Sequence, residues 1–144
     1  MSHTVNRSAL VSFSAQQMFD LVNDIESYPD YMDGCVGATI LKREGDWLEA
    51  RLDLSRAGMR QSFVTRNHLC APQKMSMTLV EGPFKSLQGC WEFTALAENA
   101  CKVSFELTFE FQNKMLGLAV GKFFESIASN QVDALCARAK QIYT

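Results

Sequence analysis

From Val103 to Phe111 every second residue is apolar, with Ser104, Glu106, Thr108 and Glu110 between them, and soon afterwards the repeat changes. Beyond residue 114, Leu116, Val120, Phe123 and Ile127, with Phe124, Ala128, Val132, Leu135, Ala139 and Ile142, recur at spacings of three and four. A strand with one wet face therefore runs straight into a helix with one dry stripe. Neither buries its apolar side alone, so each needs the other as cover. The helical repeat over 114–143 predicts one long helix, roughly 45 Å at 1.5 Å per residue, enough to cross a whole sheet. Gly117 and Gly121 weaken its first turns, leaving that end either mobile or closely packed.

Upstream the pattern is period two. A short β-like start over Val5–Val11 gives way to Ser14 and Gln17 in the capping-box relation, with Phe13 and Met18 placed to staple the same turn. A helix should begin at Ala15, carry Met18, Phe19, Leu21 and Val22, and end near Asn23, with a further turn capped by Asp24 before Tyr28-Pro29 breaks it. Leu48, Ala50, Leu52 and Leu54 then alternate with charged residues, Gly58 marks a turn into a strand over Met59–Cys70, and Met75, Met77 and Leu79 continue to Gly82-Pro83. Leu87, Trp91 and Phe93 share a face before the polar turn at Glu98-Asn99. Short turns between alternating strands imply antiparallel pairing, because parallel neighbours need long crossovers. The expected class is α+β: a first strand, two short helices, a meander of about six strands and a long C-terminal helix. A strongly twisted sheet under one helix does not close everywhere, so an apolar ligand cavity between the layers is expected.

With 144 residues, 47% apolar, the chain is long enough for one self-sufficient domain over 1–144. No apolar run reaches the ~20 residues of a spanning helix and the N-terminus has no apolar signal core, so a cytoplasmic protein without stable membrane insertion is expected. Five scattered cysteines without a CxxC suit neither a disulfide framework nor a zinc site, and neither metal nor cofactor is expected. The net charge of -2 argues against sequence-independent nucleic-acid binding, which comes from neutralising many phosphates at once. Lys42, Arg43, Arg51, Arg56, Arg60 and Arg66 nevertheless make the middle of the chain locally basic.

Catalytic equipment is sparse. His3 lies near the terminus and His68 shares a strand face with Arg66 and Arg60, where solvent rather than substrate is its expected neighbour. Glu81 follows Met77 and Leu79 at period two and either points inward as an acid or base or sits exposed at the turn. GxSxG, P-loop, Rossmann and HExxH signatures are missing.

The segment Tyr28-Pro29-Asp30-Tyr31-Met32-Asp33-Gly34-Cys35, the stretch Val80-Glu81-Gly82-Pro83-Phe84-Lys85-Ser86-Leu87-Gln88-Gly89-Cys90-Trp91-Glu92-Phe93 and the closing Phe-rich strand and helix resemble the coenzyme Q-binding branch of the START-like, or polyketide-cyclase-like, superfamily. Within it the chain is most similar to the ribosome association toxin (RatA) family. The resemblance implies a helix-grip fold, a curved antiparallel sheet wrapped around the C-terminal helix with a hydrophobic tunnel between. It also implies ubiquinone or a similar isoprenoid lipid as a partner, and the large ribosomal subunit as another, with subunit joining inhibited. Alternatives in the same superfamily are a ubiquinone chaperone or lipid-transfer protein supporting respiration, and a small cyclase or dehydratase. The leading expectation is a protein that is not an enzyme.

Candidate tunnel residues are Phe63, Met77, Leu79, Trp91, Phe93, Phe105 and Phe109 from the sheet, Phe123, Phe124 and Ile127 from the helix, and Phe19 from the first helix. An isoprenoid tail has no polar groups, so apolar and adaptable walls suffice to hold it. Tyr28 and Tyr31 form either a rigid loop at the mouth, with a hydroxyl for a quinone carbonyl, or a simple helix stop. Gly82-Pro83-Phe84 reads as a hairpin turn or as a portal lid carrying Phe84. Lys42, Arg51, Arg60 and Arg66 form either a cationic face for ribosomal RNA phosphates or a solvated sheet face diluted by Glu49 and Asp53.

Overall fold

The computed structural model describes residues 2–56 and 58–144. Strand β1 (His3–Val11) leads to Ser14, which caps helix α1 (Ala15–Asn23). The Ser14 hydroxyl accepts from the Gln17 amide at 3.1 Å while Gln17 Oε1 accepts from the Ser14 amide at 2.9 Å, so two donors left bare by the helix start are both partnered. A 3-10 turn over Ile25–Asp30 follows directly and ends at Tyr31. Strands β2 (Cys35–Glu44), β3 (Trp47–Arg56), β4 (Met59–Cys70), β5 (Lys74–Glu81), β6 (Phe84–Ala97) and β7 (Ala100–Phe111) then meander, and α2 (Lys114–Ser129) and α3 (Gln131–Tyr143) close the chain.

The seven strands form one sheet in the order β1-β7-β6-β5-β4-β3-β2, each neighbouring pair antiparallel. Its alternation sends Leu48, Ala50 and Leu54 of β3 and Val103, Phe105, Leu107 and Phe109 of β7 into the interior. There α1 covers β6 and β7 while α2 and α3 lie against β1 and β7. This is the helix-grip arrangement. At one end of the interior Phe84, Phe109, Phe111 and Phe124 interlock, with ring centroids 5.0 Å apart for Phe84 and Phe124 and 4.7 Å for Phe109 and Phe124. At the other end Phe19 of α1 stands edge-on to Phe93, centroids 6.0 Å apart. Edge-on and offset contacts of this kind add to the gain from burial alone.

Two features depart from the reading of the sequence. The single long C-terminal helix is divided at Asn130, whose φ of -92° and ψ of 0° join α2 to α3 through a tightened turn. Its amide reaches Ile127 O at 3.3 Å, and the Ala134 amide reaches Asn130 O at 3.0 Å. Ser129 and Asn130 are poor helix interiors because their side chains compete for backbone partners. Asn130 keeps nearly helical dihedrals, so the apolar spacing passes through the bend undisturbed and period alone does not reveal it. The second departure is β2, which alternation does not delineate. It is an edge strand with register shifts between Cys35 and Gly37 and between Ile40 and Lys42, each of which transposes the inward positions. In α2, a Cβ added at Gly117 or Gly121 would meet Phe111 at ordinary contact distances of 3.6 and 3.8 Å, so close packing does not require either glycine.

Candidate functional site

Beneath the bend the layers part. Phe124, Ile127, Ala128 and Gln131 from the two sides of Asn130 roof a cavity whose floor comes from the inward residues of five strands: Ala50, Leu52 and Leu54 of β3, Phe63, Thr65 and Asn67 of β4, Met77 of β5, Leu87 and Trp91 of β6, and Phe105 and Leu107 of β7. Ile25 and Tyr28 of the 3-10 turn complete the wall. The enclosed volume is about 60 Å³. That holds a few waters and lies well below the roughly 300–1,000 Å³ of a typical small-molecule pocket, so a larger occupant must displace side chains.

The wall is neutral. Among the described residues lining the cavity, Tyr28 alone has an ionisable side chain, and its hydroxyl donates to the Val22 carbonyl at the end of α1. Burial pushes the Tyr28 pKa well above its ordinary value, with Tyr31, Cys35 and Asp24 adding to the shift. The buried polar residues on the floor serve each other: the Thr65 hydroxyl donates to Asn67 Oδ1 at 2.7 Å, and the Asn67 amide reaches Met75 Sδ at 3.7 Å. Such a surface suits an uncharged apolar guest and leaves little polar capacity unmet. No group of three or more His, Cys, Asp or Glu among the described residues is arranged to hold a metal ion.

Of the residues singled out in the sequence, Tyr28, Phe63, Met77, Trp91, Phe105, Phe124 and Ile127 line the cavity. Phe84 and Phe109 lie instead in the four-ring cluster beside it, and Phe93 and Phe19 pack at the opposite end, Phe93 parallel to Trp91 with centroids 6.3 Å apart. Phe123 is buried on α2 and Leu79 half-buried on β5, both outside the lining. Tyr31 is also off the wall. Its ring stands edge-on to Tyr28 at 6.1 Å with the Arg138 guanidinium 5.2 Å above it, and its buried hydroxyl has no hydrogen-bond partner among the described residues. Desolvation raises its pKa, Asp24 adds to this and Arg138 opposes it. Glu81 is exposed at the end of β5, away from the cavity, and His68 is exposed on the outer face. Gly34, at φ 89°, lets the loop after the 3-10 turn lie against the roof, where a Cβ would come within 2.6 Å of Ile127 Cδ1.

The basic residues occupy the outer face of the sheet, opposite the cavity. Arg66 binds Glu49 on the neighbouring strand through Nε at 2.9 Å and Nη2 at 2.6 Å, and its guanidinium lies 4.2 Å over the Trp47 ring. Lys42 approaches the same ring at 5.5 Å. Arg51 pairs with Asp53 at 3.0 Å, and Arg60 faces Ser55 across the β3–β4 ladder. Positive charge is concentrated here but partly neutralised in place.

Thr65, Asn67 and Gln131 are the polar lining residues that the reading of the sequence missed. The signal for the first two is present: with Phe63 inward on β4, period two carries Thr65 and Asn67 inward as well. Gln131 follows the break at Asn130 and carries no comparable signal.

Comparison with known proteins agrees with this architecture. The profile of the family described as polyketide cyclase/dehydrase and lipid transport matches residues 11–136. A ribosome association toxin of Vibrio cholerae is 50% identical over 139 residues, covering 96% of this chain and 96% of its own. A mitochondrial coenzyme Q-binding protein homologue of Xenopus laevis is 22% identical over 142 residues, covering 96% of this chain and 58% of its own. Among solved structures, an aromatase/cyclase from Streptomyces sp. R1128 superposes with a TM-score of 0.84 at 16% identity, over 100% of this chain and 97% of that one.

Proposed function

Because the chain belongs to the polyketide cyclase/dehydrase and lipid transport family, among its ribosome association toxins, we propose that it is a non-enzymatic, cytoplasmic, single-domain binder of an apolar ligand of the ubiquinone class that associates with the large ribosomal subunit and hinders subunit joining. The observation that carries the ligand half is the neutral apolar cavity under the Asn130 bend, whose buried polar pair is already satisfied internally. General acid–base chemistry needs a positioned proton donor or acceptor of suitable pKa, and Tyr28, raised well above its ordinary value, is a poor one near neutral pH. That supports binding over catalysis. The Xenopus relative's name supports a quinone rather than a polyketide as the guest.

The ribosome half is supported by the name of the Vibrio relative and by the concentration of Lys42, Arg51, Arg60 and Arg66 on one face, with Trp47 beneath two of them. Two measurements test the proposal. Purified protein should bind a short-tailed ubiquinone in calorimetric titration and release an isoprenoid quinone on solvent extraction; failure of both overturns the ligand half. Co-sedimentation with large subunits should weaken in the Arg60→Glu, Arg66→Glu double variant, and unchanged co-migration removes the basic face from the proposal.

A further inference from the structure

Two hollows in this molecule share one wall. Besides the interior cavity, a recess of about 380 Å³ lies where β5 parts from β4. The β4–β5 pairing runs from Cys70 opposite Lys74 to Thr65 opposite Leu79, slips, and stops at Val64 opposite Glu81. Residues 59–63 of β4 continue past that point with β3 as their partner. The recess occupies the split, with Arg51, Gln61 and Ser62 on one side and Glu81, Gly82 and Pro83 on the other. Phe63 lines both hollows. Its ring stands edge-on to Phe84 and Phe124, each at 5.8 Å between centroids. Gly82, at φ 155°, closes in so tightly that a Cβ there would lie 2.7 Å from Phe63 Cβ, an approach that glycine alone permits.

We propose that these hollows form one composite ligand site, with the apolar tail of the guest in the interior, a neutral hydrogen-bond-accepting head in the recess, and the Phe63 ring as the partition it displaces. The inference rests on the apolar-ligand reading above and adds where the head goes and which head is accepted. The interior is too small and too well satisfied to take a polar ring, whereas the recess has the volume of an ordinary ligand pocket and a mixed lining. Its charges select the head. Arg51 is tied to Asp53 at 3.0 Å and Glu81 stands on the far wall, so the recess offers no surplus positive charge to a carboxylate or phosphate. The remaining guanidinium N–H groups of Arg51 and the Gln61 amide donate well to carbonyl oxygens.

The test uses the full chain carrying Trp47→Phe, so that Trp91 in the cavity wall is the sole tryptophan reporter. Two probes are titrated: a ubiquinone analogue with a short saturated tail, and a fatty acid of matching tail length. Gln61→Phe, which fills the recess from a half-exposed position, should weaken quinone binding by about tenfold or more with the melting temperature unchanged. Phe63→Ala, which joins the hollows, should raise the association rate by roughly tenfold, and Phe63→Leu gives the same direction if the alanine variant does not fold. The fatty acid should bind at least about tenfold more weakly than the quinone. Quinone binding by Gln61→Phe at the parent affinity, an association rate indifferent to Phe63, or a fatty acid preferred over the quinone overturns the composite site while leaving the apolar-ligand reading intact. A parent protein that binds neither probe takes both down.

Discussion

The inner and outer faces of β3 and β4 alternate along the same two strands and are held by different physics. Inward, Leu48, Ala50 and Leu52 meet Asn67, Thr65 and Phe63 with no charged group among them. Outward, Glu49 meets Arg66 and Asp53 meets Ser62 across the two strands, and Arg51 pairs with Asp53 along its own. The inner face gains from area removed from water, which is indifferent to partner identity. The outer face depends on registered pairs in a high-dielectric setting, each worth little. A floor held by area tolerates a guest in place of a packed side chain, whereas a face held by pairs is rewired when one member binds something else.

Adjacent residues give the sharpest contrast. Leu48 is fully buried and Glu49, its neighbour, reaches across to Arg66. Leu48→Ala should lose about 3 kcal/mol of unfolding free energy in urea titration, through lost transfer energy plus the space left behind. A loss under about 1 kcal/mol would mean that the floor collapses around the deletion and is less rigid than its packing implies.

The inner polar pair comes next. Asn67→Ala leaves the Thr65 hydroxyl buried without its acceptor and should cost about 2 kcal/mol, while Thr65→Val combined with Asn67→Leu should cost less than the two single changes added together. Strict additivity would show that the pair does not act as a unit. The same two residues mark a limit of the sequence. Alternation told which residues of β3 and β7 face inward, since Leu48, Leu54, Phe105 and Phe109 are apolar at period two and a one-residue slip would expose them all. It spoke less clearly on β4, where Thr65 and Asn67 interrupt the apolar series, and on β2, where two register shifts break the period.

Other features were out of reach for a different reason. The bend at Asn130 leaves the helical spacing intact, so only backbone geometry exposes it and with it the roof of the cavity. The division of the aromatics into cavity wall and four-ring cluster depends on how far along the sheet each one lies, and Phe63 and Phe84 are equally apolar in one dimension. The capping box at Ser14 and Gln17 was fully legible, because its chemistry spans four residues and depends on nothing distant.

Outside the cavity the expected effects shrink. Arg66→Ala removes both hydrogen bonds to Glu49 and the stacking on Trp47, and should cost about 1 kcal/mol or less at low salt, falling further as ionic strength rises. The Glu49→Ala, Arg66→Ala cycle isolates the pair from the ring contact. A salt-independent loss would transfer the stabilisation to the Trp47 stack and redraw the outer face as a packed surface.

The smallest effect is pH-dependent and belongs to Asp53. The Ser62 hydroxyl donates to its Oδ1 at 2.5 Å and Arg51 Nε at 3.0 Å, and these bonds hold its carboxyl below the usual carboxylate range against an opposing contribution from burial. A carboxyl whose folded pKa is lower than its unfolded one adds stability that is complete above the unfolded value of about 3.9 and disappears as the pH falls through the folded value. The stability difference between the parent protein and Asp53→Asn should therefore be constant near neutrality and narrow as the pH is lowered from about 5 towards 3, read from urea midpoints at each pH. Ser62→Ala and Arg51→Ala should each diminish that narrowing, since the hydroxyl's hydrogen bond is the largest single influence on the carboxyl and the guanidinium adds both a hydrogen bond and its charge. A difference that stays flat across the acid range would mean that Asp53 is as well solvated folded as unfolded, and that the outer face holds its charges in register without gaining stability from them.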